Sequence, residues 1–251
     1  MFTALIFTCC CAASAGETVS PALHDRCLTI VREAMGEGKE FVKVHAAEAL
    51  LWTGYPENVR ELFLNEPDTE PRYRIGVWRV LAQAAPCLDE RKDYENKILA
   101  VLLEPNAPDR THAAETSGKL GVTSHDPEVI HLAAEGDGSC QAMARWVMAN
   151  SGDEKDEAYL AELLESSDAA ARGCAAYAFR FFKTIRPETY LKLKTAAEKE
   201  PLGSPQYANI TSPLYLHAAA EERPAIHERL LQCAARGNKD DKREVDRKSV
   251  A

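Results

Sequence analysis

The stretch Arg110-Thr-His-Ala-Ala-Glu-Thr-Ser-Gly-Lys-Leu-Gly121 sets a basic residue first, paired alanines three and four places later, and Leu-Gly at its close. Steps of three and four put the small side chains on one helical stripe. The pattern returns in Lys43-Val-His-Ala-Ala-Glu-Ala-Leu-Leu-Trp-Thr-Gly54 and Arg172-Gly-Cys-Ala-Ala-Tyr-Ala-Phe179, and more weakly after Arg72, Gln141 and Tyr207. From marker to marker the chain advances 29, 38, 31, 31 and 35 residues, about one helix-turn-helix unit each time. Paired alanines allow helix axes to approach closely, while the Leu, Trp and Phe residues beyond them fill the space between units.

A second helix is expected after each first one. Its apolar residues also step by three and four: Val59, Leu62 and Phe63; Tyr94, Ile98, Val101 and Leu102; Ile226, Leu230, Cys233 and Ala234. Pro56, Pro127 and Pro187, each followed by Glu, suit first-turn positions where no N–H is needed and a carboxylate meets the positive helix end. Pro67, Pro105 and Pro201 stop second helices, and Gly54, Gly121 and Gly152 suit left-handed caps. No alternating β-branched run competes. The expected fold is all-α, an α-α superhelix of about six helical hairpins.

These residues resemble the HEAT-repeat (armadillo-like superhelical) family, in its short bacterial form. Asp168, Arg172, Ala175, Ala176, Ala178 and Phe179 fit the family's first-helix pattern, as do Arg110, Ala113, Ala114, Gly118, Leu120 and Gly121. The second and sixth units depart from it, with Ile75-Gly76 and Ile210-Thr211 in place of the alanine pair. The resemblance spans about residues 40–235 and implies a HEAT-like solenoid. It is silent about the partner.

Residues 1–15 carry no charge and end Ala13-Ser14-Ala15, as a signal peptide does, although no Lys or Arg precedes the apolar run. A secreted or periplasmic product beginning at Gly16 is expected. Cys9, Cys10 and Cys11 raise the alternative of a lipid anchor, which Ile6-Phe7-Thr8 fits poorly. No second apolar run follows, so no transmembrane segment is expected. Residues 16–39 read as an N-terminal capping helix, 40–237 as the HEAT-like repeat domain, and 238–251 as a charged, disordered tail. Cys27, Cys87, Cys140, Cys174 and Cys233 are odd in number and widely spaced, the pattern of small buried apolar residues rather than a disulfide framework or zinc site.

With 45% apolar residues the chain can bury a continuous core, and a net charge of -9 disfavours nucleic-acid binding. No P-loop, Gly-x-Ser-x-Gly or His-Glu-x-x-His pattern occurs, and Gly36-Glu37-Gly38-Lys39 reads as an inter-helix loop. His45 and His112 each precede Ala-Ala-Glu and read as repeat-equivalent positions. Asp126 before Pro127 and the Glu135–Ser139 turn read as helix starts, and the Asn209-Ile210-Thr211 sequon lies inside a helix. Trp52, Trp78 and Trp146 fall in first-helix stripes and are expected in the core. No catalytic, cofactor or metal residue stands out. If second helices line the concave side, Arg60, Tyr94, His131, Tyr159, Tyr190, Lys192, Lys194 and His227 form the candidate interaction surface. The leading expectation is an exported, non-enzymatic scaffold for an unknown protein partner. The alternatives are a periplasmic binder of a small polar or carbohydrate ligand, and a HEAT-fold enzyme such as a lyase-like protein.

Overall fold

The computed structural model describes residues 20–236, so the expected signal peptide (1–15) and the expected tail (238–251) lie outside the described residues. Thirteen α-helices and one 3-10 turn make up the regular structure, with no strand among the described residues. None of these helices is long and apolar enough to cross a membrane. The chain divides into two compact units between Tyr55 and Pro56, which groups the expected first helix of the repeat array with the capping helix.

The first unit is the packed pair α1 (Pro21–Glu37) and α2 (Phe41–Thr53). Ser20 starts α1, its hydroxyl accepting from the Leu23 N–H at 3.3 Å with Pro21 at the first position. The chain enters α2 through Glu40 at φ 49°, a strained conformation for a residue with a side chain. It leaves through Gly54 at φ 85°, where the Tyr55 N–H donates to Leu50 at 2.8 Å. Met35, Val44, Ala46, Ala47 and Leu50 are buried. Trp52, expected in the core, is 66% exposed, and Cys27, expected to be buried, is exposed.

The second unit runs through α3 (Val59–Leu64), α4 (Pro71–Gln83), α5 (Leu88–Leu103), α6 (Arg110–Leu120), α7 (Pro127–Glu135), α8 (Gly138–Ala149), α9 (Glu154–Glu162, continued by the 3-10 turn Leu163–Glu165), α10 (Ala169–Phe179), α11 (Pro187–Lys199), α12 (Tyr207–His217) and α13 (Arg223–Ala235). Every repeat marker falls inside an even-numbered helix. Helices α4, α6, α8, α10 and α12 pack in that order, each on the next, and α5, α7, α9, α11 and α13 pack against them. The core between them holds Ile75, Leu102, Trp146, Leu160, Phe179, Leu193 and Ile210, all fully buried. Cys140 and Cys233 are buried as expected, whereas Cys87 is exposed, and all five described cysteines are free thiols.

Local chemistry explains the helix starts. Asp126, Asp137, Asp153 and Asp168 cap α7, α8, α9 and α10 through their carboxylates. Pro127 and Pro187 open α7 and α11, but Pro56 opens nothing: its carbonyl accepts from Val59 in a turn, and α3 starts only after Asn58 at φ 63°. Side-chain ties then join neighbouring elements. Arg74 grips the fully buried Asp109 with two bonds, Arg110 binds Glu128, and Arg172 reaches Glu200 at 3.0 Å. Buried Arg145 donates to the Ala133 and Tyr159 carbonyls. Fork-shaped guanidinium groups suit such multiple acceptors.

Candidate functional groove on the first helices

Two helices pack closely where one of them lacks a side chain. A Cβ added to Gly118 on α6 would lie 2.4 Å from the Trp146 ring on α8, and one added to Gly173 on α10 would lie 1.8 Å from Gln206 Oε1 at the start of α12. This succession of close helices leaves an open groove of about 390 Å³ over α6, α8, α10 and α12. Thr111, His112 and Glu115 line it from α6, Ser139 and Met143 from α8, Cys174 and Tyr177 from α10, and Gln206 and Asn209 from the α12 end.

One wall is a charged network already satisfied. Glu115 Oε1 takes a hydrogen bond from the Tyr177 hydroxyl at 2.9 Å and lies 2.8 Å from Lys119 Nζ. Burial pushes the Glu115 carboxyl upward, but Lys119, Arg79 and the Tyr177 bond outweigh it and hold the group at about 2. The Tyr177 hydroxyl is driven upward by burial and by Glu115, so it stays a proton donor. Burial also lowers His112, against the pull of Glu115, which favours a neutral imidazole. The lining is therefore mainly apolar, set with hydroxyl, amide and imidazole groups and with no uncompensated charge. Asn209 Nδ2 donates to Gln206 Oε1 at 3.4 Å.

A cysteine, a histidine and an amide in one groove are the residue types of a thiol catalyst, but the electrostatics differ. The Cys174 thiol is raised by burial and bonded to Ser139, whereas a nucleophilic cysteine needs its thiolate stabilised. Among the described residues, no three His, Cys, Asp or Glu side chains gather in a way that could hold a metal ion.

The eight residues expected to form the interaction surface all lie on odd-numbered helices, from α3 to α13. Most are engaged within the chain. Arg60 pairs with Glu90 at 2.7 Å and Lys192 with Glu165 at 3.0 Å. Tyr190 and Lys194 converge on Glu222, at 2.6 and 2.7 Å; burial and that bond push the Tyr190 hydroxyl up to about 12. Tyr159 donates to the Ala133 carbonyl and lies under the Arg145 guanidinium, 3.5 Å away. Tyr94 stacks on the Lys97 ammonium at 5.1 Å, and half-buried Trp78 lies 5.7 Å from the same ammonium. His131 and His227 are exposed, His227 beside the Tyr215 ring. His45, read in the sequence as the equivalent of His112, bonds to its own helix neighbour Glu48 at 3.1 Å.

Sequence reasoning passed over Glu115, Cys174 and Tyr177. The His112–Glu115 spacing was its only local signal, since Tyr177 joins Glu115 from 62 residues away. Other hollows lie among the described residues. One of about 520 Å³ lies at the α8–α9 and α10–α11 loops, where Arg186 is held by Glu157; one of about 240 Å³ surrounds the Arg172–Glu200 pair. In each, an arginine is paired with a buried carboxylate. No family model, no curated protein and no solved structure matches the chain.

Proposed function

We propose that this protein is an exported, non-enzymatic interaction module, a HEAT-like superhelix of about six hairpins that holds part of another protein. The observation that carries the reading is the open groove over four successive even-numbered helices, mainly apolar and set with neutral hydrogen-bonding groups around a locked carboxylate. A partner that crosses several helix widths gains contact from each, which is how stacked repeats recognise extended surfaces. The ordered packing from α4 to α12 supports the superhelical arrangement. The uncharged, apolar residues 1–15 support export.

The test is a photoreactive residue at Asn209, compared with one at His131 on α7, in the chain expressed in its native envelope. A reproducible protein adduct at Asn209 that Met143→Arg abolishes supports the reading. Adducts at His131 alone would move the binding face to the second helices, and turnover of a bound ligand would replace the module with an enzyme. A product mass starting at Met1 would remove export. The second reading, a small polar ligand, draws on Trp78 and Tyr94 flanking Lys97. Sugar titration that quenches wild-type but not Trp78→Phe fluorescence would favour it.

A further inference from the structure

Helix α1 carries two apolar stripes. Leu28, Val31 and Met35 are partly or fully buried. Leu23, Cys27 and Ile30, spaced four and three apart, form a second stripe left in solvent, with Leu23 51% and Ile30 53% exposed. A surface helix needs only one apolar face, so a second marks a place where something docks.

The second stripe is complementary to itself. Cys27 lies between Leu23 and Ile30, so another copy laid antiparallel about a twofold axis at Cys27 sets each Leu23 against the partner's Ile30. The two small thiol side chains then meet at the crossing. Charge follows the same symmetry. Arg26 and Glu33 occupy one flank of the stripe, and neither has an ion-pair partner among the described residues. In the antiparallel pair each Arg26 comes within side-chain reach of the other copy's Glu33.

We infer that α1 is a homodimer interface in which a second copy of this chain packs on Leu23, Cys27 and Ile30. One helix pair buries less than the roughly 1,200–2,000 Å² of a stable interface, so the contact is reversible by itself. Helices crossing at small residues approach to about 8 Å, which brings facing Cα atoms within the roughly 4.4–6.8 Å that a disulfide spans. With oxidised glutathione the bond closes by exchange: two Cys27 thiols and one glutathione disulfide give one Cys27–Cys27 disulfide and two reduced glutathiones. Cys87, the other exposed cysteine among the described residues, is an internal control, because its neighbours three and four places on are Glu90 and Arg91.

The test uses the whole purified chain, with glutathione disulfide as oxidant, so it does not depend on export or on the groove. Sedimentation should show a reversible, concentration-dependent dimer, and oxidation should yield a species of twice the chain mass on a non-reducing gel. With Cys9, Cys10 and Cys11 replaced by Ser, Cys27→Ser should abolish that species and Cys87→Ser should leave it. Leu23→Glu with Ile30→Glu should give a monomer with unchanged far-ultraviolet circular dichroism. Arg26→Glu should weaken the dimer about fivefold, the worth of two exposed ion pairs, and Arg26→Glu with Glu33→Arg should restore it. A monomer at every concentration, cross-linking through Cys87, or no rescue by the charge swap overturns the proposal.

Discussion

The Tyr177 hydroxyl on α10 donates to Glu115 Oε1 on α6 at 2.9 Å, so the two helices flanking α8 are tied across its surface. A hydrogen bond to a charged acceptor in this setting contributes about 1.5–3 kcal/mol. Tyr177→Phe should lower unfolding stability by roughly that amount in urea titration.

Glu115 sets an acid limit. Its carboxyl is held at about 2 in the folded chain, below the roughly 4.3 of an unfolded glutamate. The stability it contributes is complete above the unfolded value and is lost as pH falls from about 4.5 toward 2. Glu115→Gln should flatten the dependence of the urea midpoint on pH across that interval. A quarter of the side chain stays open to solvent (26%), which moderates the effect.

His112 sets a second, milder one. Burial lowers its pKa below the ordinary imidazole value, so the folded state favours the neutral ring. Its contribution is complete above about 6.5 and is lost as pH falls through the folded value. Ring-proton NMR should show His112 titrating below the ordinary imidazole value, and His112→Asn should remove this part of the pH dependence.

Gly118 is a steric requirement. Alanine is favoured over glycine in a helix by about 1 kcal/mol, yet here its methyl would meet the fully buried Trp146 ring at 2.4 Å. Gly118→Ala should therefore destabilise by about 1–3 kcal/mol, with a changed near-ultraviolet tryptophan spectrum as the check.

Arg172 makes two bonds to buried Glu200 and one each to the Ser166 and Ser167 carbonyls. Arg172→Ala leaves Glu200 buried without this partner and should cost about 3–5 kcal/mol in thermal or urea unfolding. Arg172→Lys should recover only part of it, since an ammonium cannot span the same fork of acceptors.

Features set by neighbouring residues were legible in the sequence. The Asp126 and Asp137 caps, the glycines at positive φ and the helix at each repeat marker are decided within a few residues of chain. Pro56 misled because the same proline signal serves a turn as well as a first helical turn. Trp52 and Cys27 misled because periodicity identifies an apolar stripe without revealing what covers it. The eight expected surface residues do lie on the odd-numbered helices, but Glu90, Glu165 and Glu222, which engage Arg60, Lys192 and Lys194, come from 27–30 residues away. No local pattern reports such partners. The groove is hidden for the same reason, being assembled from four helices.

Gly173 lets the Gln206 side chain lie across α10, and that missing methyl acts as a gauge for the aperture at the α12 end of the groove. A single added carbon there would force Gln206 outward and alter which ligands enter, while every hydrogen-bonding group on the rim kept its identity. Under the proposed reading of the groove, selectivity is open to tuning by helix spacing alone, through positions that offer a ligand no side chain at all.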